Sequence, residues 1–181
     1  MKFMLMAASL RQDSVNKKLI RLSESMLTDL GETAEVKEFS SYDMPIYDGD
    51  IEAKGLPKNT MQFIQDMNEV DGLIFSVPEY NFSMPGSFKN LFDWVSRAKP
   101  MPWAGKKVLL LSASPAVVGG NRGLWSIRVP FEACGSFVFP DMFSLASAYD
   151  AFNPEGKLVD ANLTSRLDDV LKRFVDFTQK L

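Results

Sequence analysis

Histidine is missing from this sequence of 181 residues, and cysteine occurs once, at Cys134. Without imidazole, a Ser-His-Asp triad, a Cys-His pair and a zinc site built on histidine are all excluded. A single cysteine forms no disulfide within the chain, so we expect a reducing compartment. If the protein is an enzyme, carboxylate side chains or a bound cofactor must supply its reactivity, and we predict no metal site.

Long apolar runs and an excess of positive charge are also missing. Every apolar run is shorter than the roughly 20 residues that span a bilayer, and the first run meets Arg11 and Asp13 too early for a signal peptide. The formal net charge of −3 does not favour binding to nucleic acid or to an anionic membrane. We therefore expect a soluble, cytoplasmic protein with neither nucleic acid nor membrane as a partner.

Apolar stretches and amphipathic segments alternate along the chain, which is typical of an α/β protein. The apolar pattern predicts strands at 2–8, 35–39, 73–77, 107–112 and 136–139, with helices at 15–30, 61–67, 88–95, 124–131 and 163–174. We expect Pro130 to kink or shorten the fourth helix, and residues 40–58 to form a long surface loop.

Right-handed crossovers between these elements build a single domain over residues 1–181, a three-layer sandwich around a five-stranded parallel sheet. Five strands are too few for the six-strand dinucleotide fold, so we favour the flavodoxin-like strand order 2-1-3-4-5. That order brings the loops after the first, third and fourth strands to one crevice. Those three loops carry the notable polar residues of the chain.

The first loop, residues 9–16, offers polar side chains at the start of a helix. Ser9, Arg11, Ser14 and Asn16 together with free backbone N–H groups would form a cradle for a phosphate monoester. Alternatively, Ser14 or Asp13 is only a helix cap. The glycine motifs GxxxxGK and GxGxxG are both missing, so neither a P-loop nor a Rossmann turn is indicated.

The second loop follows the buried strand at 73–77 and holds Pro78, Glu79, Tyr80 and Asn81. Its backbone groups would bind the polar edge of a flat ring, and Tyr80 would form an aromatic wall. Two other roles for this second loop remain open. The prolines could simply shape a turn, or Glu79 could be the nucleophile or base of a transferase, which requires a second carboxylate opposite it.

The third loop begins with Ser112 and Ser114 and ends in a pair of glycines that includes Gly119. Small residues and glycines allow the backbone to approach a ligand closely. Aromatic and Met residues near the loops, namely Phe82, Met84, Trp103 and Trp125, are either core residues or exposed apolar groups.

Together the three loops resemble the NADPH-dependent FMN reductase family, flavodoxin-like flavoenzymes that include quinone and chromate reductases. The resemblance is carried by SLRxxSxN at 9–16, PEYNxSxPGxxKNxxDW at 78–94 and SxSPxxxGGxRG at 112–123, and it continues weakly to the last helix. The family usually has Gly where this chain has Ala8, and often Thr where it has Val77. The change at Val77 removes a hydroxyl that could contact the flavin.

The resemblance implies a bound FMN, with its phosphate on the first loop and its ring between the second and third loops. It implies hydride transfer from NAD(P)H through the flavin to an acceptor such as a quinone, an azo compound, chromate or free flavin. No side chain is then an obligatory catalytic acid or base. It also implies a homodimer or homotetramer. The competing hypotheses are a flavodoxin-type electron carrier, a flavin-free transferase or hydrolase using Glu79, and an interaction module with a vestigial site.

Overall fold

The computed structural model describes residues 1–181 and alternates strands with helices as predicted. The strands are β1 Lys2–Ala7, β2 Thr33–Val36, β3 Gly72–Ser76, β4 Lys107–Ala113, β5 Phe137–Val138 and β6 Phe143–Leu145. The helices are α1 Val15–Asp29, α2 Gly49–Glu52, α3 Lys58–Asn68, α4 Gly86–Val95, α5 Asn121–Ala133 and α6 Ala161–Lys180.

All six strands pair in parallel. Five of them follow the order β2-β1-β3-β4-β5, which confirms the predicted flavodoxin-like arrangement, and β6 also pairs with β4. The register aligns Ala7 of β1 with Ser76 of β3, and Ser76 with Leu111 of β4. The carboxyl ends of β1, β3 and β4 therefore lie side by side. The loops that follow these three strands emerge at one edge of the sheet.

The predicted last strand, 136–139, is wrong in its extent. Two short strands lie beside β4 at this edge of the sheet: β5 pairs with the start of β4, and β6 pairs with its end. Pro140 lies between them, and proline has no N–H to donate to a strand ladder. The second predicted strand, 35–39, is also displaced: the observed strand, Thr33–Val36, begins two residues earlier and ends three residues earlier.

Two further expectations about local structure differ from the observed helices. Pro130 does not shorten α5, which continues beyond the predicted end at residue 131 to Ala133. The segment 40–58 is not wholly irregular, because a short 3₁₀ turn covers Phe39–Tyr42 and the single turn of α2 lies within it. The side chain of Asp48 caps α2 by accepting from the backbone N–H of Asp50 at 2.8 Å.

Apolar side chains pack on both faces of the sheet, which explains why the central strands have no polar alternation. One layer joins α3, α4 and α5 through residues such as Phe63, Phe88 and Phe131, with Trp103 fully buried among them. The other layer joins α1 and α6 through residues such as Leu19. None of the helices combines the length and the apolar character needed to cross a membrane.

Candidate cofactor site

The three polar loops meet in one small cleft at the carboxyl edge of the sheet. Its volume is about 80 Å³, and residues of all three loops line it, together with one tyrosine that follows β6. The lining residues are Ser9, Arg11, Ser14, Val15, Asn16, Pro78, Glu79, Tyr80, Ala113, Ser114, Pro115 and Tyr149. Larger hollows lie elsewhere, but this cleft alone combines the polar loops with two tyrosines.

The amino terminus of α1 forms one end of the cleft. Ser14 is the N-cap residue, with extended backbone angles, yet its side chain makes no capping hydrogen bond. The backbone N–H groups of Asn16 and Lys17 have no acceptor within the protein. A helix start with free N–H groups attracts anions, and the nearby hydroxyl of Ser9, only 5% exposed, adds a further donor.

Arg11 is exposed at the same end and contributes a fixed positive charge. The pKa of Arg11 is raised, mainly through its interaction with the hydroxyl of Tyr149, and further through the proximity of Tyr80 and Asp13. Tyr149 was not predicted from the sequence, since it follows a strand that the apolar pattern did not reveal. An arginine beside free helix N–H groups suits a phosphate monoester.

Asn16 lines the cleft, but its buried side chain forms hydrogen bonds within the protein and connects α1 with β3 and β4. Its Nδ2 donates to the carbonyl of Ala113 at 2.8 Å, and its Oδ1 accepts from the N–H of Ala113 at 2.9 Å and from Ser76 Oγ at 2.8 Å. Both lone-pair positions of Oδ1 are thus used. The side chain of Asn16 therefore fixes α1 against β3 and β4, and its backbone N–H is the group left free for a ligand.

Glu79 is also held by the protein itself. Its Oε2 accepts from the backbone N–H of Gly123 at 2.8 Å, in the first turn of α5. A carboxylate at this position complements the positive end of the helix dipole. Glu79 is moreover the only carboxylate among the residues that line the cleft. A mechanism that needs two opposed carboxylates therefore has no second partner here.

The residues after Glu79 form a tight turn. Tyr80 and Ser83 exchange backbone hydrogen bonds of 2.8 and 3.0 Å, and the two residues between them, Asn81 and Phe82, have φ angles of 51° and 63°. Positive φ at both central positions defines a type I′ turn. Asn81 lies at the exposed tip, and the exposed ring of Tyr80 stands at the side of the cleft.

The third loop lies close against its neighbours. Ser112 is fully buried, and its Oγ has no hydrogen-bond partner. Gly120, the N-cap of α5, has φ of 85°, and a Cβ built on it would lie 2.0 Å from that Oγ. Gly119, with φ of 61°, is buried against the backbone of Leu145. Ser114 turns its Oγ back to accept from the N–H of Ala116 at 3.2 Å.

The types of residue around the cleft match the two ends of FMN, but the cleft itself, at about 80 Å³, encloses only part of such a ligand, so the rest would lie over the adjacent open surface. One end of the cleft has free helix N–H groups, hydroxyls and an arginine for a phosphate, while Tyr80 and Tyr149 supply aromatic surface for a flat ring. The buried, unpartnered hydroxyl of Ser112 lies close to Gly120, in the loop that follows β4.

Comparison with known proteins agrees with this chemistry. The family model of NADPH-dependent FMN reductases matches residues 1–150. An NAD(P)H-dependent FMN reductase of Pseudomonas aeruginosa is 32% identical over 161 residues, which cover 85% of this chain and 82% of that protein. A quinone reductase of Escherichia coli K12 is 30% identical over 142 residues, which cover 77% and 76%.

One solved structure is similar to this chain over almost the whole length of both proteins. The flavoenzyme FerB of Paracoccus denitrificans, an NAD(P)H:(acceptor) oxidoreductase, matches with a TM-score of 0.84 and 25% identity, over 99% of this chain and 97% of its own. The match of fold, loops and sequence leads to one assignment: the chain belongs to the NADPH-dependent FMN reductase family.

Proposed function

We propose that this protein is an FMN-dependent oxidoreductase that oxidises NAD(P)H and reduces a small-molecule acceptor such as a quinone, an azo compound, chromate or free flavin. The observation that carries the proposal is the cleft in which free N–H groups of α1, the charge of Arg11 and two tyrosine rings come together. Bound FMN would supply the redox chemistry, namely acceptance of a hydride from NAD(P)H and delivery of the electrons to the acceptor.

The phosphate half of the site would use Ser9, Arg11, Ser14 and the backbone N–H groups of Asn16 and Lys17. Arg11 supplies the charge, and the first turn of α1 supplies directed donors and the positive end of its dipole. Because Ser14 makes no capping bond of its own, its hydroxyl is free to donate to a phosphate oxygen.

The ring half would use the backbone of 78–81 on one side and the loop 112–119 on the other. Glu79 holds the first of these segments against α5 through its bond to Gly123, and Asn16 holds the second against α1 through its bonds to Ala113. Both side chains therefore act by positioning. A site fixed in this way orients its ligand without reorganising when the ligand arrives.

Titration of the protein with FMN, followed by steady-state turnover with NADPH and a quinone, tests the proposal. We expect quenching of FMN fluorescence at one FMN per chain, and quinone-dependent NADPH oxidation. A protein that remains colourless after reconstitution would contradict the proposal and favour a flavin-free function. A protein that binds FMN but is reduced slowly by NADPH would instead be an electron carrier.

We further propose that the chain is a single flavodoxin-like domain that works in the cytoplasm as a homodimer or homotetramer. Trp125 and Val129 support the oligomer, because they lie one turn apart on α5 and are 58% and 67% exposed. Apolar side chains arranged in this way commonly belong to contacts between subunits. Sedimentation of a monomer at micromolar concentration would contradict the oligomer.

A further inference from the structure

Phe82 has an unfavourable backbone conformation for its residue type. It is the second central residue of the type I′ turn, with φ of 63°. Type I′ turns strongly prefer Asn followed by Gly, and this chain has Asn81 followed by Phe82. Left-handed backbone is a clear outlier for a bulky side chain, because Cβ approaches the following carbonyl oxygen.

Burial does not compensate for this strain. The side chain of Phe82 is 65% exposed, so it contributes little to the apolar core. The turn is held instead by its surroundings: Tyr80 and Ser83 exchange two backbone hydrogen bonds, and Ser83 Oγ lies 3.3 Å from Ser126 Oγ of α5. Strained residues that are held in this way and are not buried concentrate at functional sites.

The ring of Phe82 has one covered face and one open face. The guanidinium carbon of Arg122, in the first turn of α5, lies 4.9 Å from the ring centroid. This cation–π contact fixes the ring and covers one side. The large exposed fraction must therefore come from the opposite face and the edge. Tyr80, only two residues away, lines the cofactor cleft and is 52% exposed.

We propose that Phe82 is a specificity-determining residue, whose open face, backed by Arg122, stacks against flat aromatic electron acceptors at the mouth of the cleft. The inference rests on the proposed FMN-dependent activity and adds a preference among its acceptors. Stacking on a fixed aromatic ring favours planar aromatic molecules whatever their substituents, because each of them presents a flat face to the ring. An acceptor that is not planar gains nothing from it.

The test replaces Phe82 in two ways. Phe82→Asn removes the ring and introduces a residue that tolerates positive φ, while Phe82→Tyr keeps the ring. Val159→Asn serves as a control, because Val159 is similarly exposed, at 64%, and lines a hollow beside α1 and α6 that contains no residue of the three loops. The assays are steady-state kinetics with menadione, which is flat, and with ferricyanide, which is octahedral, together with thermal unfolding of the FMN-free protein.

We expect Phe82→Asn to raise the KM for menadione about 10-fold relative to the KM for ferricyanide, whereas Phe82→Tyr and Val159→Asn keep the wild-type ratio. We expect the Tm of the FMN-free protein to rise by about 2–4 °C in Phe82→Asn, because the backbone strain is relieved. A purely structural role predicts the opposite sign, a lower Tm.

An unchanged ratio of the two KM values in FMN-loaded Phe82→Asn would overturn the proposal, and so would a lower Tm. Dissociation of an oligomer in this variant would also overturn it, since Phe82 would then be an interface residue. Failure of the proposed function has a different signature: the wild-type protein itself would not bind FMN or would not oxidise NADPH, and both proposals would fall together.

Discussion

Gly120 is the residue at which the packing of the third loop allows least change. Its φ of 85° is unfavourable for any residue with a Cβ, and a Cβ at this position would lie 2.0 Å from Ser112 Oγ and 2.9 Å from Ser112 Cβ. Gly156 offers a matched control, because its φ of 78° is similar but nothing lies within 4 Å of the added Cβ. Alanine at the two positions therefore separates backbone strain from steric overlap.

The expected costs follow from these two terms. The backbone term is about 1–2 kcal/mol and applies to both Gly156→Ala and Gly120→Ala. Gly120→Ala adds an overlap with buried atoms of Ser112, and overpacking of this kind typically costs about 1–3 kcal/mol. The loss of unfolded-state freedom on replacing glycine is common to both variants and cancels in the difference. Gly120→Ala should thus be less stable than Gly156→Ala by about 1–3 kcal/mol.

Urea unfolding of the FMN-free variants measures the difference. FMN titration of the same samples should show about a tenfold weaker affinity for Gly120→Ala alone, because the loop that we propose to border the flavin ring must move. Adding Ser112→Ala removes the nearest atom and should recover part of the lost stability. If Gly120→Ala costs no more than Gly156→Ala, the close packing of the third loop on Ser112 is refuted.

Three further predictions concern single side chains. Arg11→Ala should weaken FMN binding about 10- to 150-fold, the equivalent of a charge-assisted hydrogen bond, with little change in the free energy of unfolding. Lys18→Ala should leave the FMN affinity nearly unchanged. Equal effects of the two substitutions on FMN affinity would refute the role of Arg11. Asn16→Ala should lower the free energy of unfolding by about 2–4 kcal/mol, because buried polar groups of Ala113 and Ser76 lose their hydrogen-bond partner. A change below about 1 kcal/mol in urea unfolding would contradict the role of Asn16 in connecting α1 with β3 and β4. Burial and the hydrogen bond to Asp66 raise the pKa of Tyr42 above its usual 10.0. The contribution of Tyr42 to stability should therefore be retained below pH 10.0 and be lost as the pH rises above it. An equal decline in a Tyr42→Phe variant would contradict the assignment of this pH dependence to Tyr42.

The strand order was predictable because each central strand is a continuous apolar run that ends in a polar loop. Lys107–Ala113 is the clearest example, buried along almost its whole length. The division of the last strand was not predictable, because Phe137–Val138 and Phe143–Leu145 are too short to give a periodic signal. Pro130 was expected to disturb α5, but the helix ends only one turn later, where few backbone bonds remain to be lost.

The three loops of the site could be located from residue type, but the direction of individual side chains could not. Asn16 and Glu79 are polar residues in the predicted loops, yet both bond to backbone groups 97 and 44 residues away in the chain. Such pairings depend on how the strands align in the sheet. Tyr149 was missed for a related reason, since only the placement of β6 brings it next to Arg11.

The function proposed for this protein requires that the cleft hold an FMN that NAD(P)H reduces. The most direct measurement is an anaerobic stopped-flow experiment on the FMN-loaded protein, in which the flavin absorbance near 450 nm, a property of flavins in general, is followed after mixing with NADPH and then with a quinone. We expect rapid bleaching by NADPH at one equivalent per bound FMN, and return of the absorbance on addition of quinone. A protein that takes up no FMN, or whose bound FMN is not bleached by NADPH or NADH, would contradict it.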